Sequence, residues 1–224
     1  MELPRNIVVE FAGMPKSGKT TVMDVVSHYL RRSGLPVAEF HGGGRYAPLG
    51  KGDLGRLNLY LACEVVRYCL SIHAESAPSR IYLLDRGLVD RTLFTDALAA
   101  MNRISREHAD IIKQLFACPE LEDGEDICFV FSTTPQISLA RESENKLTAS
   151  TGRVMNDSFL VALRTAAVGF LDKNNRTRYA RKIVGVDTTL NDGAVKITAH
   201  EVLAELSKTL RSAGLDIELP ERAI

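Results

Sequence analysis

A glycine-containing loop constrains the fold of this chain more than any other feature of its sequence. The loop follows a β-branched apolar run at residues 7–12, precedes an amphipathic segment at residues 20–32, and matches the pattern G-x-x-x-x-G-K-[ST] in full. Its glycines let the backbone turn so that successive N–H groups face one anion, and the N-terminus of the following helix adds its dipole. The sequence therefore predicts a phosphate-binding loop, formed by Gly13, Met14, Pro15, Lys16, Ser17, Gly18, Lys19, Thr20 and Thr21.

Two side chains of this loop have the chemistry expected at a nucleoside triphosphate site. The ammonium group of Lys19 can reach the β- and γ-phosphates, and the hydroxyl of Thr20 can ligate magnesium. We therefore expect ATP and Mg2+ as cofactors, with Lys19 in a catalytic role. A glycine-containing turn that binds nothing is the alternative, and the complete pattern between a strand and a helix argues against it.

The rest of the chain alternates short apolar runs with amphipathic stretches, which is typical of a parallel sheet covered by helices. Strands are predicted at residues 7–12, 37–41, 81–85, 127–132 and 182–186. Helices are predicted at residues 20–32, 53–77, 89–101, 105–117, 156–179 and 194–213, with a further one beginning at Pro135. Because no internal repeat is visible, we expect one α/β domain over residues 1–224.

The charge balance limits the classes of partner. Lys and Arg number 28, as do Asp and Glu, so the formal net charge is zero. This argues against an extended electrostatic footprint on nucleic acid or on an anionic membrane. No apolar run is long enough to span a bilayer, no secretory signal pattern is visible, and the four cysteines form no C-x-x-C pair. We expect a cytoplasmic, reduced protein.

An acid and an arginine follow the buried run at residues 81–84. In open α/β sheets, ligands bind at the carboxyl ends of the strands, so Asp85 should face such a crevice. Asp85 can hold magnesium through water or accept a proton from an attacking hydroxyl, while Arg86 and Arg91 can neutralise phosphate charge. The competing interpretation is a helix cap with two solvated arginines.

The loop after the second predicted strand, HGGGR at residues 41–45, should open onto the same crevice. Gly43 and Gly44 permit close approach of a ligand and Arg45 adds positive charge, so we predict that these residues bind the substrate. A flexible loop without a ligand explains the same composition.

Glu10 has the same strand parity as Ala12, just before the phosphate loop. Its carboxylate either points towards the site from deeper in the sheet or forms local hydrogen bonds, because a buried carboxylate needs a partner. We include Glu10 among the candidate substrate-binding residues, and whether Glu10 or Asp85 acts as the base stays open.

A polar segment at about residues 141–155 has the composition of a lid. Basic residues on a mobile segment can close over a transferring phosphoryl group and exclude water. We therefore predict catalytic roles for Arg141 and Arg153, with Lys146 as a weaker candidate. A solvated surface loop is the alternative.

Five stretches in chain order resemble the thymidylate kinase and deoxynucleoside kinase branch of the P-loop kinases. They are EFAGMPKSGKTT, FHGGGRYAPLGKGDLGRL, YLLDRGLVDRTLF, TTPQISLARESE followed by GRVMN, and VGVDTTLND. In that branch they would be the phosphate loop, the acceptor-lining glycine loop, the acid-arginine strand end, the proline-opened helix with the arginine lid, and the turn near adenine. The resemblance implies a three-layer P-loop kinase fold, a five-stranded parallel sheet of order 2-3-1-4-5 and Mg-ATP as donor. The acceptor would lie between the second-strand loop and Asp85-Arg86.

Several positions depart from the patterns of that branch and leave the acceptor open. Thymidylate kinases usually carry an acid in the phosphate loop, where this chain has Met14-Pro15-Lys16. Deoxynucleoside kinases usually have a glutamate directly before the first glycine, where this chain has Ala12, and E-R-S where it has Asp85-Arg86-Gly87. A nucleotide or nucleoside is the expected acceptor, and a kinase of a non-nucleotide small molecule is the alternative.

A regulatory NTPase is a further alternative, but its sequence signature is missing. A guanine-specific switch should carry N-K-x-D after a late strand, and the closest string, NKLT at residues 145–148, lacks the acid. For quaternary structure, the apolar helix at residues 53–77 and the resemblance together suggest a possible homodimer.

Overall fold

The computed structural model describes residues 3–44, 47–49, 52–72, 79–144, 154–173, 176–189 and 194–217. Within these residues five parallel strands form one sheet in the order β2-β3-β1-β4-β5. The strands are β1 (Ile7–Gly13), β2 (Val37–His41), β3 (Ile81–Asp85), β4 (Ile127–Ser132) and β5 (Ile183–Asp187). The predicted strand order and fold class are confirmed.

Helices cover both faces of the sheet and complete three layers. They are α1 (Lys19–Arg32), α2 (Leu54–Ile72), α3 (Leu88–Ala100), α4 (Arg106–Phe116), α5 (Pro135–Glu144), α6 (Asp157–Leu171) and α7 (Val195–Ser212), with a short 3-10 turn at Pro119–Leu121. None of the helices in the described ranges is long and apolar enough to cross a membrane.

The alternation of side chains along β1 divides the core in two. Val8 and Ala12 pack with the helices α2, α3, α4 and α6, whereas Val9 and Phe11 pack with α1 and α7. All seven residues of β1 are buried because the strand lies at the centre of a sheet that is covered on both faces. Glu10 is the exception in chemistry: a carboxylate in an otherwise apolar strand.

One predicted helix is wrong in its length. The segment predicted as helical at residues 156–179 is helical only to Leu171. Tyr179 lies instead beside the start of β4, where its carbonyl accepts a hydrogen bond from Glu125 N at 2.8 Å and Ala180 bridges to Glu125. The helix predicted at residues 53–77 ends at Ile72 in the described part of the chain, and residues 73–77 lie outside it.

The register of the sheet brings the predicted motifs to one edge. His41 at the end of β2 pairs with Asp85 at the end of β3, and Asp85 pairs with Phe11 of β1. Gly42 N donates to Asp85 O at 2.9 Å, and Arg86 N donates to Phe11 O at 3.1 Å. The glycine loop, the acid-arginine pair and the phosphate loop therefore meet at the carboxyl ends of neighbouring strands.

Candidate active site

The phosphate loop depends on glycine at both ends. Gly13 has φ 111° and Gly18 has φ 91°, which are left-handed conformations that favour glycine. At Gly13 a Cβ atom would lie 2.0 Å from Phe131 O. Any larger residue at position 13 would push β1 away from β4, so the first glycine fixes how closely the loop approaches the sheet.

The carbonyl groups of this loop face protein donors. Ser138 Oγ donates to Pro15 O, and Thr188 Oγ1 donates to Ser17 O at 3.0 Å. Lys16 Nζ forms an ion pair with Glu142 at 2.9 Å. A loop whose N–H groups are to face an anion needs its carbonyl groups turned the other way, and α5 with the end of β5 supplies the donors that hold them.

Arg141 lies among these donors. Its guanidinium donates to Lys16 O and to Thr188 O, both at 3.2 Å, and so links the phosphate loop to the segment after β5. Arg141, which the sequence analysis predicted as a lid residue, thus contacts the phosphate loop but is not among the residues that line the cavity described below. The other residues assigned to the lid, Lys146 and Arg153, lie outside the described residues.

Lys19 is buried next to the loop, with its Nζ donating to Met14 O at 2.6 Å. Burial lowers the pKa of Lys19 to about 7, and the positive charge of Arg86 acts in the same direction. Nearby carboxylates of Asp90 and Asp85 only partly oppose this. A positive charge held in such surroundings is stabilised by an anion, which is the property expected of a phosphate-binding lysine.

Thr20 and Asp85 form the part of the site suited to magnesium. Thr20 Oγ1 donates to Asp85 Oδ2 at 2.7 Å, and Asp85 Oδ1 is buried with no hydrogen-bond partner among the described residues. No group of three or more His, Cys, Asp or Glu side chains that could hold a metal occurs in the described ranges. The Thr20 hydroxyl and the Asp85 carboxylate offer oxygen ligands, which fit Mg2+, because this ion binds through one or two protein oxygens together with phosphate and water.

Arg86 and Arg91 share a buried carboxylate that the sequence analysis did not select. Asp90 Oδ2 binds Arg91 at 2.5 Å and Arg86 at 3.3 Å, while its Oδ1 accepts a hydrogen bond from Gly13 N at 2.9 Å. Burial opposes ionisation of Asp90, but the two arginines outweigh it and lower the pKa of its carboxyl group. One acid thereby connects both arginines to the first glycine of the phosphate loop.

Both guanidinium groups also lie over one aromatic ring. The Cζ atoms of Arg86 and Arg91 are 5.0 and 4.9 Å from the centre of the Phe94 ring. Arg91 is buried, and its Nε has no hydrogen-bond partner in the described part of the chain. One carboxylate and one aromatic ring therefore hold both guanidinium groups in place.

A cavity of about 560 Å3 joins these groups. Eleven predicted site residues line it: Pro15, Lys16, Gly18, Lys19, Thr20, Thr21, Gly43, Gly44, Asp85, Arg86 and Arg91. Three residues of the phosphate loop do not line the cavity: Gly13, Met14 and Ser17. Arg45 lies outside the described residues.

Sequence reasoning missed the apolar wall of the cavity. This wall comes from α2, α3 and the region of α6, and consists of Leu54, Leu57, Leu61, Phe94, Leu98, Val154 and Phe159. Asn58 is a buried amide in the same wall and donates to Thr95 Oγ1 at 3.0 Å. Helical spacing marks such residues as buried, but only the packing of three helices reveals that they face a cavity.

His41 also lines the cavity and was not selected from the sequence. Its ring nitrogens lie 3.5 Å from a Glu39 oxygen and 3.9 Å from Asp85 Oδ2. The signal that could have found it is its position directly before the three glycines at the end of a strand.

Glu10 lies beneath the cavity and does not line it. Its buried carboxylate accepts hydrogen bonds from the backbone amides of Gly87, Val89 and Asp90. Of the two acids considered as the base, Asp85 is the one that faces the cavity.

The strand order and the phosphate loop between β1 and α1 define the fold of the P-loop kinases. Solved structures of deoxyadenosine kinase from M. mycoides are similar to this chain. The structure with dCMP and a flexible dCDP bound has TM-score 0.65 and 14% identity, over 90% of this chain and 100% of that chain. The dATP-bound structure has TM-score 0.64 and 13% identity, over 89% and 99% of the two chains. The dCTP-bound structure has TM-score 0.65 and 14% identity, over 90% and 100%.

At this level of identity the likeness establishes the fold. No protein-family model and no curated protein sequence matches the chain.

Proposed function

We propose that this protein is a kinase that transfers the γ-phosphoryl group of Mg-ATP to a nucleoside or a nucleoside monophosphate. The proposal is supported by one observation above all: a single cavity joins the phosphate loop to Asp85 and Arg86 and continues between apolar helix faces. Binding the donor and an organic acceptor in one space is what direct phosphoryl transfer requires.

On the donor side, the loop amides and Lys19 would bind the phosphates of ATP. Thr20 would ligate Mg2+ and Asp85 would hold the ion through water, and the charge of Mg2+ would stabilise the negative charge that develops on the phosphate oxygens. Arg141 would act through the phosphate loop, because its guanidinium holds the carbonyl of Lys16. Arg153 and Lys146 remain proposed lid residues.

On the acceptor side, the apolar wall with Phe94, Phe159 and the buried amide of Asn58 suits a flat ring system with polar edges. The neighbouring structures are of an enzyme named deoxyadenosine kinase with nucleotides bound, which supports the same class of acceptor here. Gly43, Gly44 and Arg45 would approach the acceptor from the end of β2.

Asp85 would take the proton from the acceptor hydroxyl while the hydroxyl oxygen forms its bond to the γ-phosphorus and the bond to ADP breaks. Its Oδ1 atom has no competing hydrogen-bond donor among the described residues. Arg86 and Arg91 would stabilise the charge on the transferring group, since both are held beside Asp90 at the cavity wall.

The test is ATP consumption with magnesium against a panel of nucleosides, deoxynucleosides and their monophosphates, with products resolved by mass. We expect ADP to form only with an acceptor and one product to be heavier by one phosphate. Acceptor-independent hydrolysis alone would contradict a nucleoside or nucleotide kinase.

The matched variants are Lys19→Ala in the loop and Lys196→Ala on the exposed side of α7. We expect Lys19→Ala to lower kcat by at least about a hundredfold, because the phosphates lose their charge partner, while Lys196→Ala keeps wild-type turnover. Near-normal turnover in Lys19→Ala with an intact circular dichroism spectrum would refute the site assignment.

A further inference from the structure

Two buried acids lie side by side beneath the first turn of α3. Glu10 comes from the middle of β1 and Glu125 lies just before β4, and neither is exposed to solvent. Glu10 Oε1 accepts hydrogen bonds from the amides of Gly87 and Asp90, both at 2.7 Å, and Glu10 Oε2 accepts one from Val89 at 2.9 Å. Three amides therefore bind one carboxylate.

Glu125 completes this arrangement. Its Oε1 accepts a hydrogen bond from the remaining amide of the turn, Leu88 N, at 3.2 Å. The amides of residues 87–90 are the four N–H groups that a helix leaves without an internal acceptor at its start. Two side chains distant in sequence satisfy all four.

The crowding at Gly87 provides independent evidence for this packing. A Cβ atom on Gly87 would lie 2.7 Å from Glu10 Cδ and 2.8 Å from Glu125 Oε1. The φ of Gly87 is −97°, outside the left-handed region that favours glycine, and the lack of space around its Cα is enough by itself to require glycine there. The two carboxyl groups occupy the volume that a side chain after Arg86 would fill.

Two adjacent carboxylates in a buried site repel each other, and one proton shared between them removes the repulsion. Glu10 is suited to carry the negative charge, because three amides and the positive end of the helix dipole face it. Glu125 Oε2 is buried and has no hydrogen-bond partner among the described residues. A proton on that oxygen gives it a partner, since the protonated group donates to the neighbouring Glu10. Burial raises the pKa of both carboxyl groups. The pKa of Glu125 lies well above its usual range, whereas at Glu10 the hydrogen bonds from the Asp90 and Val89 amides oppose the rise, in agreement with this assignment.

Titratable groups from every side face the pair. Burial raises the pKa values of Cys69 from α2, Cys128 from β4 and Tyr179, so these groups are neutral at physiological pH. Asp90 and Arg91 of α3 are charged and bind each other. Glu125 is therefore the neighbour of Glu10 that decides the charge of the pair.

We propose that Glu10 and Glu125 share one proton and serve as positioning residues for the phosphoryl-transfer site. The amides they hold belong to Gly87, which follows Arg86, and to Asp90, which binds both arginines and Gly13 N. Through this turn the pair sets the orientation of Arg86 and Arg91 relative to the phosphate loop. The kinetic consequence rests on the proposed kinase function, whereas the shared proton does not.

The kinetic test compares Glu125→Gln with Glu10→Gln, and the exposed Glu120→Gln serves as a control. Glutamine at 125 can donate its amide to Glu10 and accept from Leu88, so we expect kcat within about twofold of wild type. Glutamine at 10 removes the charge and turns an NH2 group towards the amides, so we expect kcat to fall at least about tenfold while KM for ATP changes less than about threefold.

A purely structural role would lower kcat and raise KM for ATP together, or would affect both variants alike, and either result would overturn the proposal. The proposal would also be overturned by a wild-type kcat in a folded Glu10→Gln variant, or by a tenfold loss of kcat in Glu125→Gln.

Infrared difference spectroscopy of the full chain supplies a readout that needs neither activity nor a folded Glu10→Gln variant. We expect the C=O band of a protonated carboxylic acid in the wild type at neutral pH and its loss in Glu125→Gln, with no change in Glu120→Gln. Identical spectra of wild type and Glu125→Gln would refute the shared proton, even if the protein proves to be a kinase.

Discussion

Replacing Glu125 by glutamine should change how the free energy of unfolding depends on pH. When the chain unfolds, a glutamate side chain releases its proton above about pH 4.3. Burial raises the pKa of folded Glu125 well above that value, so between the two values the folded state binds one more proton than the unfolded state. As the pH rises through this interval, Glu125 therefore lowers the free energy of unfolding of the wild type by about 1.4 kcal/mol per pH unit. The glutamine variant has no titrating group at this position and does not show this decrease.

Urea denaturation at about pH 5.5, 6.5 and 7.5 measures this difference. As the pH rises, Glu125→Gln should gain free energy of unfolding relative to wild type, by up to about 1.4 kcal/mol for each pH unit over which folded wild type keeps this proton. The contribution from Lys19 is common to both proteins and cancels in the comparison. Glu120→Gln should keep a constant offset from wild type. Parallel pH curves for wild type and Glu125→Gln would refute the buried, protonated carboxyl group.

Two further substitutions test the contacts around the same turn. Gly87→Ala should lower the free energy of unfolding by about 1–3 kcal/mol, because its Cβ would overlap both acids. The control is Gly169→Ala, which has open space around its Cα and should not destabilise the protein. Equal denaturation midpoints for the two variants would contradict the crowding at Gly87. Asp90→Asn removes the charge between the buried Arg91 and the partly buried Arg86. It should lower kcat by on the order of a hundredfold and the free energy of unfolding by about 3 kcal/mol. A variant with wild-type kinetics and melting would show that the arginines need no such partner.

The phosphate loop and the position of Asp85 could be predicted from the sequence alone. The phosphate loop follows from the spacing of Gly13, Gly18, Lys19 and Thr20 between an apolar run and an amphipathic segment, because its function depends on backbone turns and side chains within one short stretch. Asp85 was found for a similar reason: an acid at the end of a buried run lies at the ligand-binding edge of a parallel sheet.

Contacts between segments that are distant in sequence could not be predicted from the sequence. Asp90 binds Gly13 across 77 positions, and Glu10 binds Val89 across 79. Strand parity placed Glu10 on the correct face of the sheet, but parity does not reveal which amides a carboxylate meets there. Glu125 belongs to the acidic stretch ELEDGED at residues 120–126, and nothing in that composition reveals its burial beside Glu10.

The wrong length of the helix predicted to extend to residue 179 has a related cause. The apolar Tyr179 fits a helical pattern, whereas in the fold its backbone pairs with Glu125 at the start of β4 and its hydroxyl bonds to Thr92. A periodic pattern indicates which residues are buried, but not the type of secondary structure in which they lie. The length, spacing and composition of this chain thus determined its α/β class and its phosphate loop, since both arise from interactions between near neighbours in sequence. The packing of β1, α3 and the segment before β4 decided the rest: which acids face the cavity, which hold the helix, and how two arginines come to share one carboxylate.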